Sequence, residues 1–273
     1  MKKLASSLLF TAFLSAQAEE AAPVPVQEET KPWSLSIETG VHSHYLWRGL
    51  TLNSDPVNQN SVTFEHTLGK EAEFGTIGLN YWNNVDLTSI YGHAGDITEN
   101  DWGVYWYKTL GDIGKLKLGA VYYDYPTAEG EGVFSHSSEV YAIFTANTLL
   151  NPEFSAYYDF QKSDGIYLSF GISHSVPLDF VDFTKGWSLD LSSAIGWNSG
   201  KNMEMYYGEV EEDSSFTDFS VKAGLTIPLY SNDSMSMAFK PYIQWFTTMD
   251  RYYGNAGINQ EGFVGGATLS LSF

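Results

Sequence analysis

The chain has 273 residues, with 33 Asp and Glu against 14 Lys and Arg, and therefore a formal net charge of −19. It contains no cysteine, which excludes disulfide frameworks, thiolate metal sites and cysteine nucleophiles. The acidic balance argues against a nucleic-acid partner, because little basic surface is present to neutralise phosphates. Aromatic residues make up 16% of the chain, and this content predicts a folded protein whose rings lie against apolar surroundings.

Residues 1–18 have the layout of a secretory signal peptide. Two lysines precede a mostly apolar run over residues 4–14, and Ala16-Gln17-Ala18 supplies the small residues of a cleavage site. A retained membrane anchor is the weaker interpretation, because the apolar run is about half of the ~20 residues that a spanning helix requires. Residues 19–32 are acidic, proline-rich and without periodicity, which predicts a solvated periplasmic linker.

From residue 33 to residue 273 the dominant hydrophobic period is two, which is typical of β-strands with one apolar and one polar face. In the segment 263–273, one parity is mostly apolar and the other consists mostly of Gly, Thr and Ser. The segment 187–197 repeats this pattern. Counting such segments predicts about twelve strands, of which the first covers residues 33–47.

Short and long connections alternate between these segments. Residues 111–114 and 231–234 form short turns, whereas residues 86–100, 126–136 and 198–215 are longer and mostly polar. Short turns on one side and long loops on the other are typical of outer-membrane barrels. A sheet in hydrocarbon must also close, because an open edge would leave backbone groups without hydrogen bonds. We therefore predict an all-β fold, a transmembrane antiparallel up-and-down β-barrel of about 12 strands.

A soluble β-sandwich is the alternative fold, because its two sheets hide their apolar faces against each other and give the same alternation. Trp187 and Trp197 share a parity, and at ~3.3 Å per residue and a tilt of about 45° they lie roughly 23 Å apart along the membrane normal. This distance matches the ~25 Å band between the aromatic girdles of membrane barrels. Trp33, with Tyr45 and Trp47, predicts a similar but longer span on the first strand. The spacing favours the membrane barrel.

Two short segments resemble parts of known outer-membrane proteins. Residues 269–273 (LSLSF) resemble the C-terminal signal that the barrel-assembly machinery of Gram-negative bacteria recognises, which implies this machinery as a partner through Phe273. Residues 45–51 (YLWRGLT) resemble the Tyr-x-Phe/Trp-Arg-Gly segment of an uncharacterised group of proteobacterial outer-membrane proteins. The resemblances imply a bacterial outer-membrane location and contact with outer-membrane lipids, and they imply no chemistry.

If the polar parity faces inward, the lumen holds charges of both signs and many tyrosines. The candidate lining residues are Glu38, His42, His44, Glu65, Tyr105, Tyr107, Tyr123, Tyr141, Tyr157, Asp159, Tyr167, Asp190, Lys222, Lys240 and Tyr242. Barrel diameter grows with strand number. The sequence therefore predicts a narrow, porin-like channel for passive transport of small polar solutes, without cofactor or metal. The alternative is a structural or partner-binding barrel in which these side chains pair with one another and plug the lumen.

Acidic residues in the lumen and loops predict a mild preference for cations over anions. The loop acids concerned are Asp96, Glu99, Asp101, Glu129, Glu131, Glu209, Glu211, Glu212 and Asp213. The alternative for these loop acids is a solvated face, or divalent-ion contacts with neighbouring lipid headgroups.

Two histidines and one arginine near the end of the first strand are further candidates. His42 and His44 share a parity, so both rings would lie on one side of a strand, a spacing compatible with two metal ligands. Ordinary hydrogen bonding is the simpler role for such a pair. Arg48 is expected to pair with an acid and to fix the first loop in preference to binding a ligand.

An enzyme is the rival class, since some twelve-stranded barrels hydrolyse lipids with Ser and His on the outer wall. His136 and Ser138 are two residues apart and so share a strand face, of the lipid-facing parity. No third group that would orient His136 is evident from the sequence. We therefore predict no catalytic residues and keep lipid hydrolysis as the less favoured alternative.

Overall fold

The alternating segments form the strands of a barrel. The computed structural model describes residues 31–89, 92–128, 135–180, 182–207, 214–249 and 260–273. The strands in chain order are β1 Trp33–His42, β2 Tyr45–Trp47, β3 Leu50–Asn53, β4 Val57–Thr67, β5 Thr76–Asp86, β6 Ile97–Thr109, β7 Gly114–Asp124, β8 His136–Ala146, β9 Glu153–Asp159, β10 Gly165–Pro177, β11 Ser188–Asn198, β12 Ser215–Ser231, β13 Ser236–Thr248 and β14 Glu261–Ser272.

Twelve of these strands form one closed antiparallel sheet in the order β1-β14-β13-β12-β11-β10-β9-β8-β7-β6-β5-β4. From β4 to β14 each strand pairs with the next in sequence, and β1 pairs with both β4 and β14 to close the ring. The fold class and the strand number predicted from the sequence are confirmed. The predicted signal peptide, most of the linker and the loop acids of residues 129, 131, 209, 211, 212 and 213 lie outside the described residues.

The two parities of each strand face opposite environments. On β6, Trp102 and Val104 are more than half exposed, whereas Asp101 and Tyr105 are buried. The same division on the other strands gives an apolar outer wall and a polar interior. Lipid solvates apolar side chains and offers no hydrogen-bond partner to backbone groups. A closed sheet with an apolar outer face and a polar inner face is therefore that of a transmembrane barrel.

The described parts of the connections contain short helical segments. Among these residues, two short 3₁₀ turns cover Lys70–Ala72 and Asp182–Thr184, and one helix, α1, covers Gly200–Tyr207 in the connection between β11 and β12. In the part of the chain that the structure describes, every helix is too short or too polar to cross a membrane. The loop predicted over residues 198–215 therefore contains a helix that the sequence analysis did not anticipate.

The first strand is shorter than the predicted 33–47. β1 ends at His42, and after a bend the chain forms a separate two-stranded sheet, β2–β3, outside the barrel sheet. Arg48 and Gly49, with φ of 46° and 81°, form the two-residue turn of this hairpin. Positive φ at both turn positions is the geometry of a type I′ turn, which favours glycine. The girdle assignment of Tyr45 and Trp47 was wrong, because both are buried.

Tyrosines of the lumen lie over glycines of the adjacent strand. Gly78 of β5 is in register with Tyr105 of β6, and Gly119 of β7 is in register with Tyr141 of β8. A Cβ atom added to Gly78 or Gly119 would lie 2.2 Å or 2.4 Å from the tyrosine ring. The missing side chain lets each ring lie flat along the wall instead of projecting into the lumen.

Replacing Gly119 by Ala is expected to lower the free energy of unfolding by about 1–3 kcal/mol, because the Tyr141 ring must leave its place. Gly265→Ala is the matched control on β14, since the nearest atom to its new Cβ would be at an ordinary 3.7 Å. Denaturant unfolding of the two refolded variants, followed by tryptophan fluorescence, measures the difference. Equal stability of the two variants would refute the packing role of Gly119.

Candidate functional site

The β2–β3 hairpin, residues 45–53, crosses the lumen and is called the lumen hairpin below. It is rooted between β1 and β4, which are neighbours in the barrel, and its turn contacts side chains of β8, β9 and β10. In the closed ring, β9 is six strands from β1 in either direction. The lumen hairpin therefore reaches from one wall of the barrel to the opposite wall.

Arg48, at the tip of the lumen hairpin, is held by a carboxylate of the barrel wall. Its Nη1 and Nη2 atoms donate hydrogen bonds of 2.8 Å and 2.7 Å to the two carboxylate oxygens of Glu139 on β8. The Arg48 and Glu139 side chains are 7% and 1% exposed. Tyr123 donates a third hydrogen bond to Glu139, at 2.8 Å. A bidentate, buried pair of this kind fixes both position and orientation. It is the acid pairing expected for Arg48.

Three aromatic rings surround the same guanidinium group. The Arg48 Cζ atom lies 4.6 Å from the ring centroid of Trp47, 4.7 Å from that of Tyr157 and 4.4 Å from that of Tyr167. Aromatic faces at such distances attract a cation electrostatically, and the attraction is larger where water is excluded. Glu139, Trp47, Tyr157 and Tyr167 are called the guanidinium cage below.

The other side of the hairpin turn touches β12. A Cβ atom added to Gly49 would lie 2.4 Å from the Cβ atom of Asp218. Asp218 also accepts a hydrogen bond from Tyr167 at 3.2 Å. The turn is thus in close contact with two separate parts of the wall, and glycine is the residue that fits at position 49 in both conformation and space.

Helix α1 covers the lumen hairpin from the loop side. The buried cluster at this contact consists of Tyr45, Trp47, Leu50, Val57 and Met203, with Trp82 and Tyr206 packed against it. The Tyr206 ring meets the Trp47 ring edge-on at 4.8 Å. Tyr45 also donates a hydrogen bond of 2.7 Å to Glu99 of β6. Apolar packing and one polar contact therefore add to the ion pair in holding the hairpin inside the barrel.

Contacts to the end of β11 and to the loop between β9 and β10 position α1. Asn202 donates a hydrogen bond of 3.0 Å to Asn198, at the end of β11. Lys201 forms an ion pair with Asp164. Hydrogen bonds from Lys201 and from Tyr158 hold the pKa of Asp164 below its ordinary value. This contact is fully exposed, so it orients the helix without contributing much to stability.

The predicted lining tyrosines form a continuous cluster on one half of the wall. The buried members of this cluster are Tyr105, Val121, Tyr123, Tyr141, Ile143, Tyr157 and Tyr167, with Tyr107 and Tyr125 packed against them. Glu65 accepts hydrogen bonds from Tyr105 at 2.7 Å and from Tyr107 at 3.3 Å. Along β6 to β10 the rings therefore pack against one another, and several of their hydroxyl groups donate to acids of the wall.

The predicted lining charges on the other half pair with nearby groups. Glu38 and Lys240 form an ion pair at 3.4 Å. The Lys222 ammonium lies 4.0 Å from the centroid of the Tyr242 ring, and the His42 Nδ1 and Tyr242 hydroxyl atoms are 2.8 Å apart.

Two further predicted lining acids are also satisfied locally. Asp190 accepts hydrogen bonds from three hydroxyl groups, those of Ser175, Ser188 and Thr226. Asp159 accepts a hydrogen bond of 2.7 Å from Ser137 and accepts from two backbone N–H groups of the following turn.

The histidine pair is not brought together on one strand face. His44 follows the end of β1, and its Nδ1 atom lies 2.8 Å from the hydroxyl of Ser43, whereas His42 contacts Tyr242. The shared-parity prediction was wrong here because β1 ends at His42, two residues before His44 and five residues before the predicted end of the strand. Among the described residues, no group of three or more His, Asp or Glu side chains is arranged to hold a metal ion.

The His136 and Ser138 side chains do not contact each other as a base and a nucleophile would. The Ser138 hydroxyl donates to Gln161 at 2.8 Å, and the His136 Nδ1 atom lies 3.2 Å from the hydroxyl of Ser135. A serine nucleophile requires a base within hydrogen-bond reach. The geometry therefore gives no support to the lipid-hydrolase alternative.

The fold and this lumen define a transmembrane β-barrel protein with a loop hairpin across its interior. No family model matches the sequence, and no curated protein matches it. The solved structures to which the chain is similar include two porins and one outer membrane channel. The KdgM porin in complex with disordered oligogalacturonate is 11% identical over 88% of this chain and 98% of that chain, with a TM-score of 0.45.

The outer membrane channel, from Pseudomonas putida F1, is 13% identical over 93% of this chain and 98% of its own, with a TM-score of 0.45. The NanC porin is 9% identical over 88% of this chain and 98% of its own, with a TM-score of 0.43. The assignment as a transmembrane barrel rests on the closed sheet and the apolar wall of this chain itself.

Proposed function

We propose that the protein is a narrow channel of the bacterial outer membrane for passive diffusion of small polar solutes, with the lumen hairpin as its constriction. The observation that carries this proposal is the polar, tyrosine-lined interior of a closed barrel that the lumen hairpin crosses. Tyrosine rings and hydroxyl groups suit compact polar solutes, which they can stack on and hydrogen-bond.

The location in the outer membrane belongs to the same proposal. The apolar outer wall supports a lipid environment, and the likeness of residues 45–51 to proteobacterial outer-membrane proteins supports the outer membrane. Residues 1–18 would direct export, and the terminal Phe273 would be the contact for the barrel-assembly machinery. The Phe273 backbone pairs with Leu35 of β1 through hydrogen bonds of 2.9 Å and 3.3 Å. The proposed signal thus lies where the barrel closes.

Planar-bilayer recording of the protein purified from outer membranes tests the channel directly. A folded barrel, verified by its heat-modifiable migration on a gel, is expected to give discrete conductance steps that grow with salt concentration. Arg48→Gly is expected to give larger steps, because the hairpin tip loses its contact with the opposite wall. A folded barrel that stays silent in both forms would overturn the channel proposal.

The channel is also expected to prefer cations mildly. Buried acids surround the lumen hairpin and α1, and they are Glu99, Asp101, Glu139, Asp159 and Asp218. An excess of carboxylates along a pore lowers the electrostatic barrier for cations and raises it for anions. The reversal potential in a salt gradient measures this preference, and an anion-selective value would contradict it.

A partner-binding barrel with a closed lumen is the second candidate. The observation that favours it is the bidentate ion pair that holds the lumen hairpin against the opposite wall. In this case the barrel would display its long loops to a partner and conduct nothing. Absence of conductance from a folded Arg48→Gly variant would support this function over the channel.

A further inference from the structure

We propose that the guanidinium cage is a binding site for guanidinium-bearing organic cations, and that Arg48 is an internal occupant which such a solute displaces. The proposal deepens the proposed channel function, on which it rests, by naming a solute class for the lumen. The mild cation preference selects solutes by charge alone. The guanidinium cage would in addition select them by the shape and the hydrogen-bond donors of the cationic group.

The cage has the parts that recognise a guanidinium group specifically. A planar fork of N–H donors faces the two carboxylate oxygens of Glu139, and the flat faces of Tyr157 and Tyr167 cover the group at 4.7 Å and 4.4 Å. Bidentate pairing to a carboxylate and stacking on aromatic faces are the two features that distinguish guanidinium from ammonium. An ammonium ion would still be attracted to Glu139 and to the rings, but it cannot pair bidentately with the carboxylate or stack on a ring.

Three of the four cage residues belong to the barrel, whereas Trp47 and the occupant, Arg48, belong to the lumen hairpin. Glu139, Tyr157 and Tyr167 lie on the adjacent strands β8, β9 and β10, and Tyr123, which orients Glu139, lies on β7. The lumen hairpin forms a sheet of its own and shares no strand pairing with the barrel among the described residues. The wall part of the site therefore stays in place when the hairpin moves away.

Other buried acids lie close to the cage. The Asp101 carboxylate is fully buried, and neither of its oxygen atoms accepts a hydrogen bond from any described residue. It is close enough to Glu99 and Glu139 to interact with both electrostatically. Once Arg48 has left, Glu139 stabilises a solute that brings positive charge and repels an anionic one.

The Arg48→Gly variant empties the site while keeping the turn, because glycine adopts the positive φ of 46° found at position 48. Guanidinium chloride at millimolar concentration is the probe, and sodium chloride at equal ionic strength is its control. We expect guanidinium to lower the conductance of the variant saturably and to raise its thermal unfolding midpoint. The same concentration is expected to leave the wild-type protein unchanged, because displacing Arg48 from Glu139 requires a higher concentration.

Two double variants locate the effect. In Arg48→Gly with Glu139→Gln, the apparent affinity for guanidinium is expected to fall by about 10- to 100-fold, because a charge-assisted hydrogen-bond pair is lost. In Arg48→Gly with Glu38→Gln, which changes an acid at a different part of the lumen, the affinity is expected to stay the same. Equal responses of these two double variants, or an equal response to sodium, would overturn the proposal.

The thermal midpoint separates this proposal from the channel function. If no variant conducts but guanidinium still raises the midpoint of Arg48→Gly, the channel proposal fails and the binding site stands. Should Arg48→Gly fail to fold, Arg48→Lys serves in its place, since lysine keeps the charge but cannot pair bidentately. Guanidinium is then expected to open the lysine variant at lower concentration than the wild-type protein, and equal concentrations would contradict the site.

Discussion

Replacing Glu139 by Gln is expected to release the lumen hairpin from the opposite wall. The change leaves the guanidinium group of Arg48, 7% exposed, without its charged partner. Losing one member of a buried ion pair costs about 3 kcal/mol or more, which corresponds to a shift of about 100-fold in the docking equilibrium. We expect larger conductance steps, together with faster hydrogen exchange of the backbone amides of residues 45–53.

Glu38→Gln is the matched control for this variant. Glu38 also pairs with a cation of the lumen, Lys240, but these side chains are 15% and 24% exposed and lie 3.4 Å apart. Partly exposed pairs contribute about 1 kcal/mol or less. Hydrogen exchange in residues 45–53 should therefore match the wild-type rate in Glu38→Gln. Fast exchange in both variants, or in neither, would contradict the role given to Glu139.

Gly49→Ala is expected to have the second large effect, because it removes the hairpin turn from its place against β12. The new Cβ would overlap the Cβ of Asp218 at 2.4 Å, and alanine is also strained at a φ of 81°. Gly95→Ala isolates the clash, since Gly95 has a similar φ of 86° and no described atom within 4 Å of an added Cβ. Strain in the left-handed region costs about 1 kcal/mol in each variant.

Both alanine variants carry the same backbone strain, so a difference in their conductance measures the close contact between residue 49 and Asp218 alone. We expect the Gly49 variant to show raised conductance and exposure of Trp47 to aqueous fluorescence quenchers, whereas the Gly95 variant should resemble the wild-type protein. If both variants behave alike, the contact between the turn and Asp218 does not hold the hairpin.

Much of the barrel follows from alternation, and the main error shows where alternation stops being informative. Side chains alternate between two faces in any extended segment, whether that segment is a strand of the barrel or one strand of a separate hairpin. Residues 45–47 continue the alternation of β1, so the sequence analysis extended the first strand through them. The turn at Arg48 and Gly49 was the available signal, because an Arg-Gly pair between two short apolar segments is compatible with a two-residue hairpin.

The site could be predicted only in part. Parity places Glu139 on the inner face and charge pairing makes an acid the expected partner of Arg48. The identity of that acid depends on which strands face each other across the closed ring, and this is a property of the whole barrel. Glu139 is 91 residues from Arg48 in the chain. The contribution of α1, through Met203 and Tyr206, was missed because a single helix of two turns gives a weak signal within a polar loop.

A reversible cross-link between the hairpin turn and the wall tests the account most directly. The chain has no cysteine of its own, so Gly49→Cys with Asp218→Cys introduces one unique pair, whose backbone positions are close enough for a disulfide after a small outward shift. Conductance is recorded from the oxidised double variant, and again after a reductant is added to the same bilayer. We expect small or absent steps while the disulfide holds the lumen hairpin in place and larger steps after reduction. Identical conductance in the two states, with gel migration showing that the disulfide formed and was then reduced, would contradict the lumen hairpin as the constriction of this channel.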